Sequence, residues 1–184
     1  MTETVRVLDT PSARELAELA SAFEELQTVL RCCERLITEL AAEEQDLLSL
    51  EAFWSTALLS YTRCFATLTT RDVTATGLKG DVLGWHQVLL KLRDQCADPV
   101  HNPRESFTVG AAQDDQGKAA GIAVSSARQQ PVDEVVVRQT GAIAFELSRL
   151  VDARIVAQQQ AVFGALGRMK PDELEGLPLL TVAT

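Results

Sequence analysis

Apolar residues recur along the start of the chain at alternating steps of three and four: Leu16, Leu19, Phe23, Leu26, Leu30, Cys33, Ile37 and Leu40. That rhythm keeps them on one side of an α-helix, as the a and d positions of a seam running for about four heptads. Ala22, Val29 and Leu36 widen the stripe on one flank. A stripe broader than a two-stranded zipper needs belongs to the core of a bundle. Thr10 followed by Pro11 supplies a cap and a first-turn proline, and Ser12 with Glu15 has the spacing of a capping box. Continued to Glu44, this helix would be on the order of 50 Å long. A second helix is predicted from Leu47 to Thr70, where Phe53, Trp54, Leu58, Leu59, Tyr61 and Phe65 leave little of the circumference polar. A helix apolar on most sides is buried on most sides, so these aromatics read as core. After a β-branched, polar connection with Gly77 and Gly80, Asp81 caps a third helix. Its packed side carries Val82, Trp85, Val88, Leu89 and Leu92, with His86 partly exposed beside Trp85. It must end before Pro99, because the residue preceding a proline is pushed out of the helical region.

Beyond Pro103 the period falls to two. Phe107 and Val109 alternate with small or polar residues, as do Ile122 and Val124, and the QDDQGK stretch between them offers Gly117 for a positive-φ position. The pattern predicts a β-hairpin at about 106–126. A lone hairpin is marginal in water, so this one is expected to lie on the helices or to pair with residues 4–8, whose TVRVL alternation suits a strand. Pro131, Asp133 and Glu134 then open a long last helix carrying Val136, Ile143, Leu147, Leu150 and Val151, weakened at its end by Gly164 and Gly167 and stopped by Pro171. Residues 171–184 read as a flexible C-terminal tail. The fold class is mainly α: a bundle of four principal helices with one β-hairpin between the third and fourth helices, in a single domain over residues 1–170. The long first and last helices are expected to pack side by side.

Charge narrows the function. The net charge is −9, with twelve acids and four bases in residues 1–51 against fourteen and thirteen in the remainder. RNA is therefore not a favoured partner, since nucleic-acid binding rests on a basic surface. The N-terminus lacks the apolar core of a signal peptide, and no stretch approaches the length of a membrane span. These features point to a cytoplasmic protein without a membrane partner. Cys32, Cys33, Cys64 and Cys96 form no C-x-x-C pair and read as reduced, mostly buried thiols. No metal site follows from their spacing, and no cofactor is implied.

The chain has no phosphate loop, no dinucleotide fingerprint, no zinc-protease helix and no nucleophile elbow. The stretch that remains is Arg93 to Asn102, which closes the third helix and passes Pro99 before His101. An arginine beside a histidine can polarise a phosphate while the imidazole moves a proton, chemistry suited to RNA cleavage through the 2′-hydroxyl. A helical bundle with Arg93, the polar Asp94 after it and His101 further on resembles the HEPN superfamily. That family includes the ribonuclease toxins and abortive-infection proteins of bacterial conflict systems. The resemblance implies catalytic roles for Arg93, Asp94 and His101, and a dimer. Asn102 and Arg104 join them as candidate binding residues.

Seven residues, Pro99 among them, separate Arg93 from His101. The two side chains therefore do not share one continuous helix face, and Asp98-Pro99 and Asn102-Pro103 read as turns. The expectation is accordingly a non-catalytic helical binding or interaction protein, working as a homodimer or with a protein partner in a conflict system. The alternative is a HEPN-like ribonuclease using Arg93 and His101. Self-association is expected through the helices, on the width of the first apolar stripe.

Overall fold

The computed structural model describes residues 5–65, 80–98, 105–129 and 131–180. Helix α1 spans Pro11–Leu40, α2 Leu47–Arg63, α3 Asp81–Ala97, α4 Glu134–Leu166 and the short α5 Pro171–Glu175; strands β1 (Glu105–Gln113) and β2 (Ala119–Arg128) lie between α3 and α4. The mainly α bundle with one hairpin between its third and fourth helices is what the hydrophobic pattern predicted.

Local chemistry sets the helix ends. The Thr10 hydroxyl accepts the Ala13 N–H at 3.2 Å, and Pro11 sits where a missing N–H costs nothing. α1 stops at Leu40, short of the predicted Glu44, and the Gln45 side chain donates to the Leu40 carbonyl at 2.9 Å. Asp46 then caps α2, its carboxylate accepting from the Leu48 N–H at 3.0 Å and the Ser49 hydroxyl at 2.7 Å. α3 begins at Asp81, with Gly80 at φ 59° as its cap residue in place of the predicted Asp81. Asp133 caps α4 by accepting from the Val136 N–H at 2.8 Å.

α1 is the central element because its packing against two helical neighbours, α2 and α4, is the most extensive in the bundle. α4 runs antiparallel along it: the Gln158 amide donates to the Ser12 carbonyl at 3.0 Å near one end, and Gly141 lies against Cys33 further along. A β-carbon built on Gly141 would sit 3.6 Å from Cys33 Cβ, an ordinary packing distance that marks where the two helices touch. α2 folds back along the other flank, where the Cys64 thiol reaches the Ala22 carbonyl at 3.7 Å and Arg63 pairs with Glu25 at 3.7 Å. Two neighbours explain the width of the stripe. Leu19, Ala22, Leu26, Val29, Cys33 and Leu36 are buried, whereas Phe23, Leu30, Ile37 and Leu40 are only half-buried. The deepest line therefore alternates between predicted seam residues, Leu19, Leu26 and Cys33, and the residues expected merely to widen the seam, Ala22, Val29 and Leu36. Cys32 and Cys33 point different ways, yet both are covered.

Three expectations change. The hairpin does not lie on the helices: every residue from Ser106 to Arg128 is exposed. Nor does it pair with the N-terminal strand, because Arg6 bridges to Leu179 instead. The predicted flexible tail is structured over 171–180. α5 is followed by a bridge in which Val7 N–H donates to the Pro178 carbonyl at 2.8 Å, Leu180 N–H to Val5 at 2.9 Å and the Arg6 guanidinium to Leu177 at 2.6 Å. Those bonds satisfy backbone groups that the hairpin was expected to satisfy. Among the described residues no helix is long and apolar enough to cross a membrane.

Candidate functional site

Arg93 and Asp94 lie in the last turn and a half of α3. Their side chains form an ion pair of 3.0 Å at the surface. A contact this exposed contributes little, but it draws the guanidinium toward a carboxylate. The Arg93 Nε atom is buried and makes no hydrogen bond. His101, Asn102 and Arg104 lie outside the described residues, so the structure brings together only the first two members of the predicted group.

Close to this end of α3 a cleft of about 300 Å³ opens between the start of α2 and the foot of the hairpin, lined by Leu47, Leu48, Glu51, Glu105, Arg128 and Pro131. Glu105 and Arg128 are paired across the hairpin's first rung, so the cleft mixes apolar walls with charges of both signs. Cys96 stands nearby. Its thiol is held above the ordinary value, first by partial desolvation and then by the negative charge of Glu51. A thiol pushed up stays protonated and is a poor nucleophile. The same holds inside the core, where burial pushes Cys33 and Cys64 up to about 12. Among the described residues no three His, Cys, Asp or Glu side chains gather to hold a metal ion.

The polar group that sequence reasoning missed is inside. His86, expected to be partly exposed, is buried, and its Nδ1 lies 2.8 Å from the Tyr61 hydroxyl. Phe65 closes over it edge to face, with ring centroids 4.8 Å apart. Burial raises the Tyr61 pKa, so the phenol keeps its proton and donates it to a neutral imidazole; burial likewise lowers the pKa of His86. This pair is a satisfied core contact that ties α3 to α2. A signal for it existed: Tyr61 is the sole tyrosine, on a helix apolar nearly all round, and its hydroxyl had to find a partner. The packed face of α3 accordingly centres on His86 and Leu89, while Val82 and Val88 are exposed.

The other missed feature is the hairpin face. Register places Phe107, Val109 and Ala111 opposite Ser126, Val124 and Ile122, and directly paired residues point to the same side. Four large apolar side chains therefore stand together, Phe107 60%, Val109 68%, Ile122 81% and Val124 66% exposed. No known protein family, curated protein or solved structure matches the chain.

Proposed function

We propose that this chain is a non-catalytic binding protein: a helical bundle that presents the β1–β2 hairpin as its contact surface. The observation that carries the reading is the hairpin's apolar face, left bare by every described element of its own chain. An exposed apolar cluster of this kind marks an interaction site. The described groups that nuclease or thiol chemistry would use do not favour it: Arg93 pairs with Asp94 at the surface, and burial keeps His86 and the core thiols neutral. A role in a defence or toxin–antitoxin pairing accompanies this reading through the HEPN resemblance, and a cytoplasmic setting through thiols packed as small apolar groups.

The test is cleavage of total RNA by the wild type and by Arg93→Ala and His101→Ala across several pH values. No turnover in any of the three is the expected result. Cleavage by wild type that both substitutions abolish replaces the binding reading with the nuclease one.

A further inference from the structure

We propose that the hairpin's apolar face is covered by the same face of a second copy, two hairpins packing across a twofold axis. The proposal rests on the binding reading above and names its partner.

Size is the first argument. Phe107, Val109, Ile122 and Val124 together expose on the order of 400 Å², comparable with the largest and often functional apolar patch of a soluble protein. Two such faces bury about 800 Å² from these side chains alone, and the flanking strand residues extend this toward the roughly 1,200–2,000 Å² of a specific pair. Two apolar sheet faces also pack directly, about 10 Å apart.

Charge is the second. The net charge of −9 is concentrated in residues 1–51, so a self-contact through that part of the chain would bring like charges together. The hairpin escapes this: no charged residue occurs from Ser106 to Gln113 or from Ala119 to Ala127. The charges it does carry sit at its ends, Glu105 paired with Arg128 at the foot and Asp114, Asp115 and Lys118 at the turn. A neutral, apolar face offers nothing to a basic or acidic partner, but it is complementary to itself, as a twofold contact requires.

The third is the state of the strands. Both edges of this two-stranded sheet are open among the described residues, and the strand interiors lack the lysines and prolines that guard free edges. A hairpin with no helix behind it needs more sheet or another apolar face to persist in water. The broad stripe of α1, on which self-association was expected, is covered within the chain by α2 and α4.

The experiment is light scattering on the full chain over a wide concentration range, for wild type and for Phe107→Ser combined with Ile122→Ser. A wild-type dimer that becomes a monomer in the double variant, with unchanged helical circular dichroism, is the expected result. A monomeric wild type overturns the proposal, as does a dimer indifferent to the double substitution. Should the variant lose its helical signal, Val124→Cys in a Cys96→Ser background decides the matter, since Val124 lies mid-face. A short bis-maleimide then links two chains through the introduced thiols if the faces meet, and absence of the link overturns the proposal. The two readings fail separately: RNA turnover removes the binding reading whatever the mass, whereas a silent monomer removes only the second copy and leaves a different protein partner.

Discussion

The α1 stripe and the β1–β2 hairpin carry equally regular hydrophobic patterns, and their fates differ. Leu19, Val29 and Leu36 on α1 are wholly buried, while Val109, Ile122 and Val124 on the hairpin are more than three-fifths exposed. Periodicity defines an apolar face in both. On α1 that face meets two helices of the same chain; on the hairpin it meets none of the described elements. An amphipathic pattern thus states that a face will be covered, and the covering agent is a separate matter. The molecule's internal stability and its outward surface accordingly lie in different places.

The largest effect that tests this contrast lies in α1. Leu26→Ala removes a side chain buried in the core and should cost roughly 2–5 kcal/mol in denaturant unfolding. Leu30→Ala, half-buried, should cost distinctly less, and equal losses at the two sites would contradict the assignment of the deeper flank. At the α2–α3 junction, Tyr61→Phe leaves the Nδ1 of buried His86 without its donor and should cost about 1–3 kcal/mol.

The same pair gives the core a pH dependence. Unfolded, His86 takes up a proton near its ordinary 6.5; folded, burial keeps the ring neutral to lower pH. The unfolded state thus binds more protons below that value, so this contribution to stability is fully present above it and declines as pH falls. Thermal melts of His86→Gln should lack this share of the acid-side slope, and an undiminished slope would assign it to other groups. A smaller effect is expected from Asp133→Ala, which strips the α4 cap and should cost about 1 kcal/mol.

On the hairpin the expectation is opposite in kind. Phe107→Ser should change the unfolding free energy of the dissociated chain by no more than about 0.5 kcal/mol, as for a surface position. A loss comparable with that of Leu26→Ala would mean that the face is covered within its own chain, and the contrast would collapse.

The sequence by itself determined the four principal helices, the hairpin and the start of several of them. Thr10-Pro11, Asp46 and Asp133 act through bonds spanning two or three residues, and Gly117 takes φ 77° within a single turn. The change of period from 3.6 to two likewise needs only one stretch of chain to be read. Of the candidate site, Arg93 and Asp94 were legible as neighbours at a helix end, and their 3.0 Å ion pair is local in the same way. The tertiary structure alone decided the rest. It turned His86 inward against Tyr61, docked residues 177–180 on 5–7, buried Ala22, Val29 and Leu36 alongside Leu19 and Leu26, and left the hairpin bare. The physical reason is that burial and hydrogen-bond satisfaction relate groups far apart in the chain, 22 to 64, 61 to 86 and 6 to 179. A period announces a face to be covered, and only the packed chain selects its cover.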